Sequence, residues 1–309
     1  MRTTHLPVET RERTEIHMRD PFVFPDASSA TYYLFGTTLA DGIGDIEPGF
    51  HVYTSTDLKA WTGPYLAFDP PAGFWGVRHY WAPEVHAVDG AYWMLATCKG
   101  GIGVHRGTTI LRADHPAGPY VPLANQAATP PDEEALDGTL YEEDGRRFLV
   151  YCHEWTQLHD GEIKAIELQD GRPLGTPFRI LRAGTQPWIR KFSDPRIQKD
   201  GYLTDAPFLY RARNGDLLLF WSSYADASIT GGAGGYTVAV TRSTSGSIFG
   251  PWTEDEALFL DKDAGHSSLF RTFQGELMLC THSPDTPHGM ERPAFFELVE
   301  TDDGLRIHY

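Results

Sequence analysis

Asp137-Gly138-Thr139-Leu140-Tyr141, followed by Gly145-Arg146-Arg147-Phe148-Leu149-Val150-Tyr151, is a short apolar run, a glycine turn and a second apolar run. Such a stretch reads as a β-hairpin. The same pattern stands at Asp20-Pro21-Phe22-Val23-Phe24 with Tyr32-Tyr33-Leu34-Phe35-Gly36, and at Ala82-Pro83-Glu84-Val85-His86 with Gly90-Ala91-Tyr92-Trp93-Met94-Leu95. It returns at Asp205-Ala206-Pro207-Phe208-Leu209 with Gly215-Asp216-Leu217-Leu218-Leu219-Phe220-Trp221. It ends at His266-Ser267-Ser268-Leu269-Phe270 with Gly275-Glu276-Leu277-Met278-Leu279-Cys280. The apolar anchors Val23, Val85, Leu140, Leu209 and Leu269 are 62, 55, 69 and 60 residues apart, so five units fill the 309-residue chain.

Between the hairpins lie further strand-like runs. Phe50–Ser55 leads to Trp61, Thr108–Ala113 to Tyr120, and Tyr236–Thr241 to Trp252. The weaker run Phe178–Leu181 is assigned to the fourth unit, and Ala294–Val299 closes the last. About 60 residues and four strands make a propeller blade, and radial closure hides the sheet edges. The expectation is an all-β fold, one five-bladed β-propeller domain over residues 1–309. The competing arrangement is a two-sheet sandwich.

Composition agrees. Gly (31) and Pro (22) are plentiful and 13% of residues are aromatic, which suits short strands and tight turns. A net charge of -16 disfavours nucleic acid and anionic membrane as partners. Cys98, Cys152 and Cys280 form neither a disulfide framework nor a zinc motif and are expected as buried thiols. Met1–Thr14 is polar, without the apolar core of a secretory signal, and the expected setting is cytoplasmic.

The residue three before each anchor begins an inner strand, and inner strands line the central channel. Those residues are Asp20, Ala82, Asp137, Ala206 and His266, with Asp205 one place earlier in the fourth unit. Asp before Pro or Gly also starts turns through its side chain. Recurrence at one register of a circular fold instead brings the carboxyls together. A carboxylate pair with neither cysteine chemistry nor a phosphate loop points to glycoside hydrolysis. One carboxyl must be ionised to activate water, and the other protonated to release the leaving oxygen. A third can raise the acid's pKa. Phe74, Trp75, Trp81, Trp155, Trp188 and Trp221 are candidates to stack on a sugar; core packing is the alternative for each.

At these residues the chain resembles glycoside hydrolase family 43 over nearly its whole length. The resemblance implies an inverting mechanism on a five-bladed propeller. Arg19-Asp20-Pro21-Phe22 resembles the motif of the catalytic base. Leu136-Asp137-Gly138-Thr139-Leu140 resembles that of the Asp that modulates the acid's pKa. Gly265-His266-Ser267-Ser268 resembles the motif of a channel His that contacts a metal through waters. On this resemblance no cofactor is required, and a structural calcium in the central channel, reached by His266 through waters, is an expectation. Trp81-Ala82-Pro83-Glu84 would line the site, and Arg292 would hold sugar hydroxyls or the base.

The family's acid is a Glu, whereas Thr204-Asp205-Ala206-Pro207 carries Asp205 in its place. Three readings follow: Asp205 is the acid, Glu154 supplies the proton, or hydrolysis is lost and the propeller only binds glycans. The implied partner is an oligosaccharide, cut at α-L-arabinofuranosyl units, with β-D-xylosyl or galactan linkages as alternatives. A propeller that binds only protein would lack the carboxylate cluster.

Overall fold

The computed structural model describes residues 7–38, 48–230, 235–254, 258–302 and 304–308. Residues 1–6 of the charged opening segment therefore lie outside it. The chain forms five antiparallel sheets in ring order. The first blade holds β1 (Glu9–Glu12), β2 (Met18–Asp26), β3 (Thr31–Thr38), β4 (Phe50–Ser55) and β5 (Ala60–Phe68), with β2 innermost and β1 added outside β5. The second holds β6 (Arg78–Val88), β7 (Ala91–Lys99), β8 (Arg106–Ala113) and β9 (Val121–Pro122). The third holds β10 (Ala135–Glu143), β11 (Arg146–His153), β12 (Glu162–Gln169) and β13 (Arg172–Arg182). The fourth holds β16 (Asp205–Arg211), β17 (Leu217–Ala225), β18 (Gly235–Ser243) and β19 (Trp252–Glu254). The fifth holds β20 (Gly265–Arg271), β21 (Leu277–Ser283), β22 (Arg292–Thr301) and β23 (Gly304–Ile307).

Turn chemistry explains the hairpins. Asp144-Gly145 joins β10 to β11 with φ of 52° and 74°, the paired left-handed geometry of a two-residue hairpin turn. One assignment needs correcting. Phe178–Leu181 lies in β13, which pairs with β12, so it is the outer strand of the third blade and not the fourth. The fourth blade takes its outer strands from Tyr236–Ser243 and Trp252–Glu254. The long 69-residue spacing reflects an insertion between these blades, the short hairpin β14 (Phe192–Asp194) and β15 (Lys199–Gly201). A four-residue helix α1 (Trp155–Leu158) precedes it.

Every inner strand breaks its ladder at the same place. The pairing is interrupted between Arg19 and Phe22, Trp81 and Glu84, Leu136 and Thr139, Asp205 and Phe208, and Gly265 and Ser268. At each break one non-glycine residue is left-handed: Asp20 (φ 53°), Ala82 (46°), Asp137 (54°), Ala206 (50°) and His266 (55°). These are the five residues that the repeat aligned. Pro21, Pro83 and Pro207 follow three of them, at positions where no ladder bond needs an N–H.

The freed N–H groups bind the preceding blade. Ala82 N–H donates to Thr37 Oγ1 (2.8 Å), Asp137 N–H to Thr97 Oγ1 (2.8 Å), His266 N–H to Ser222 Oγ (2.9 Å) and Asp20 N–H to His282 Nδ1 (3.3 Å). At the corresponding place of the third blade stands Cys152, and Ala206 N–H turns to Asp137 Oδ2 instead (3.2 Å).

Among the described residues no blade has an apolar core of its own. Each of five apolar clusters lies between neighbours, the last joining Ile16, Val23 and Trp61 of the first blade to Phe270 and Cys280 of the fifth. The three thiols are free and buried. The ring closes by contact, because β20–β23 all come from the C-terminal segment. Met18 N–H donates to Glu291 O (3.1 Å), and Arg19 pairs with Glu291 (2.7 Å) and Asp285 (3.0 Å) across the seam.

Candidate active site

Three of the five left-handed positions, Asp20, Asp137 and His266, bring their side chains together. His266 Nδ1 lies 3.1 Å from Asp20 Oδ1 and 3.7 Å from Asp137 Oδ2. Asp20 Oδ2 also accepts from Thr37 Oγ1 (2.7 Å), and Arg19 Nε is 4.0 Å from Oδ1. Asp205 Oδ2 accepts from Tyr236 OH (2.9 Å). Asp205 reaches the group although it stands one residue early. It is the last paired residue before the break, opposite Ser222, and Ala206 takes the left-handed turn.

The carboxyls diverge in charge. Burial would raise Asp20, but the His266 imidazolium and Arg19 outweigh it and hold Asp20 well below the usual carboxylate range. Burial raises Asp205 well above that range, and the neighbouring Asp137 charge adds to it. Asp137 stands between, pushed up to about 6 by burial against the pull of His266. Burial works to lower His266, yet Asp20 and Asp137 raise it to about 9. The surroundings thus favour the ionised form of Asp20, the protonated form of Asp205 and the imidazolium form of His266. Carboxyls pushed apart in this way divide base and acid roles.

The other expected residues separate. Glu154 is buried and close enough for its charge to act on Asp137 and Asp205, but its Oε2 accepts from Arg106 (2.7 Å) and from the Thr156 hydroxyl. The same Arg106 lies 5.4 Å over the Trp81 ring, which places Trp81 on the rim of the cluster, stacked on His79. Glu84 is buried and accepts from Thr139 Oγ1 (2.6 Å). Trp155 packs edge-on against Phe192 of the inserted hairpin, forming a wall.

Several aromatics belong elsewhere. Phe74 packs in the core between the first two blades against Phe68, and Trp188 and Trp221 pack on each other in the core between the third and fourth. Trp75 lines an outer groove of about 490 Å³ between the second and third blades, which also reaches Arg106. Arg292 donates to Thr14 O (3.0 Å) and Glu291 O (2.9 Å) and contacts His17. The guanidinium beside Asp20 is that of Arg19. Arg19, Tyr236 and His282 were not singled out from the sequence. Only Arg19 had a signal, its place immediately before Asp20.

The expected calcium is one that His266 reaches through waters, so direct protein ligands are a separate question. His266 Nδ1 is already engaged by the Asp20 and Asp137 carboxylates, at 3.1 and 3.7 Å. Among the described residues no group of three or more His, Cys, Asp or Glu is arranged to hold an ion. The described residues do not fit a directly held metal.

Comparison with known proteins agrees with the geometry. No curated protein matches the chain in sequence. The crystal structure of an endo-arabinase from Bacteroides thetaiotaomicron VPI-5482 is 32% identical, over 94% of this chain and 97% of that one, with a TM-score of 0.84. An endo-1,4-beta-xylanase from the same organism is 20% identical over 98% and 97%, with a TM-score of 0.72. An alpha-L-arabinofuranosidase from Lactobacillus brevis is 15% identical over 95% and 94%, with a TM-score of 0.70, and these last two speak for the fold alone. The profile described as glycosyl hydrolases family 43 matches residues 14–305. With its propeller and clustered carboxyls, this chain belongs to glycoside hydrolase family 43.

Proposed function

We propose that the protein hydrolyses α-L-arabinofuranosyl linkages in oligosaccharides with inversion at the anomeric carbon. The observation that carries the reading is the gathering of Asp20, Asp137 and His266 in one cluster with Asp205 beside them, where the neighbours push the Asp20 and Asp205 pKa values in opposite directions. In this reading a water attacks the anomeric carbon and gives its proton to Asp20. The bond from that carbon to the leaving oxygen breaks, and Asp205 protonates the oxygen. Asp137, next to both, keeps Asp205 protonated through its charge. His266 holds the ionised base in place.

The sugar preference is supported by likeness to the endo-arabinase, at 32% identity. The test is a panel of aryl α-L-arabinofuranosides, β-D-xylosides and β-D-galactosides, together with arabinan oligosaccharides. Product anomers are followed by NMR, for wild type, Asp20→Ala, Asp205→Ala and Glu154→Ala. The expected result is turnover of arabinosyl substrates with an inverted first product, abolished in Asp20→Ala. Retention of configuration, or full turnover by Asp205→Ala on unactivated substrates, overturns the assignment.

A further inference from the structure

Tyr236 projects from β18 of the fourth blade and is buried, with its phenol on Asp205 Oδ2. Three contacts fix the ring. It lies 5.6 Å from the His282 ring at 13°, so the two are stacked, and 5.2 Å from the ring of its cross-strand partner Tyr224. The third contact is with a missing side chain. A Cβ on Gly265 would collide with Cδ1 and Cε1 of Tyr236.

Gly265 is not in a left-handed conformation, so its backbone does not require glycine. The equivalent positions of the other blades, each the last paired residue before the break, are Arg19, Trp81, Leu136 and Asp205. Only the fifth blade lacks a side chain there, and that is where the Tyr236 ring crosses toward the carboxyls.

We propose that Tyr236, seated on Gly265, is the positioning residue of the proton donor: its phenol occupies Asp205 Oδ2 and leaves Oδ1 to carry the proton toward the leaving oxygen. An aspartate side chain has two torsions. Its Cα is fixed by pairing with Ser222, so one hydrogen bond from a rigid ring sets the direction of the remaining oxygen. Tyr236 touches neither water nor sugar in this scheme and acts only through Asp205. The inference rests on the reading of Asp205 as the acid.

The test compares phenyl and dinitrophenyl α-L-arabinofuranosides as substrates of wild type, Tyr236→Phe, Gly265→Ala and Asp205→Ala. Protonation matters for the poor phenol leaving group and little for dinitrophenol. Tyr236→Phe should lose ~10-fold or more in kcat/KM on the phenyl glycoside and several times less on the dinitrophenyl one, with KM little moved. The phenol bond favours the charged carboxylate. Its removal should therefore also carry the high-pH limb of the phenyl profile upward. Gly265→Ala should reproduce the aglycone dependence by displacing the ring, and Tyr236→Phe, which removes a single oxygen, keeps the test open if Gly265→Ala does not fold. Equal losses on both aglycones, or none, in Tyr236→Phe while Asp205→Ala shows the dependence overturn the positioning role. Absence of the dependence in Asp205→Ala instead overturns the assignment of the acid.

Discussion

Burial acts on Asp20 and Asp205 in the same direction, and their neighbours decide opposite outcomes. Asp20 faces His266 and Arg19, whereas Asp205 faces Asp137 and receives one neutral phenol. A carboxyl whose pKa is raised in the folded state destabilises that state above its unfolded value of about 3.9, by about 1.4 kcal/mol for each unit. Asp205→Asn keeps the shape and the acceptor for Tyr236 but has no charge to bury. The variant should lose ~10²–10⁴-fold on substrates with poor leaving groups. It should also unfold at a higher temperature than wild type, with a gain that is absent near pH 3 and grows as pH rises above about 4. Thermal scans across pH, beside the kinetics, check both; a variant less stable than wild type at neutral pH would contradict the buried, protonated state.

At the scale of the strand, the device that places these side chains is the shared break in the inner ladders. A left-handed non-glycine residue costs roughly 1–2 kcal/mol. The break recurs in all five blades because it releases an N–H to hold the preceding blade and aims one side chain at the channel. Thr97 is buried and accepts from the amide of Asp137. Thr97→Val conserves volume but leaves that amide without its partner, and should lower stability by about 1–3 kcal/mol in denaturant titrations. No change would mean that the bond only accompanies the packing. The repeat made these breaks legible: a position fixed relative to each apolar anchor picked out Asp20, Ala82, Asp137, Ala206 and His266. The out-of-step Asp205 was visible in the sequence, but not the turn at Ala206 that corrects it.

For the whole molecule, stability resides between blades. With each apolar cluster shared by two neighbours, the ring should unfold in one calorimetric transition. Among the described residues the seam between first and last blades exchanges no strand, and it depends on Arg19, whose partners Asp285 and Glu291 are almost wholly buried. Arg19→Met leaves those carboxylates without their cation and should cost about 3–5 kcal/mol. Scanning calorimetry should show a lower melting temperature with the transition still single. A separate early transition would mean that the seam opens independently of the blades.

The order of residues by itself determined the propeller, because strand, turn and strand are local properties and their fivefold return leaves few ways to hide the sheet edges. It also determined Asp20, Asp137 and His266, since equal places in a repeat become neighbours when the repeat closes on itself. Tertiary structure alone decided the rest. An aromatic face suits a sugar and a core equally well, so only the neighbouring blade could send Phe74, Trp188 and Trp221 inside and leave Trp81 on the rim. The cation beside Asp20 is Arg19 and not Arg292, because a side chain's direction follows from its strand and its blade. Tyr236 meets Asp205 from 31 residues away, over a glycine in a third strand, and no spacing in the chain announces such a meeting.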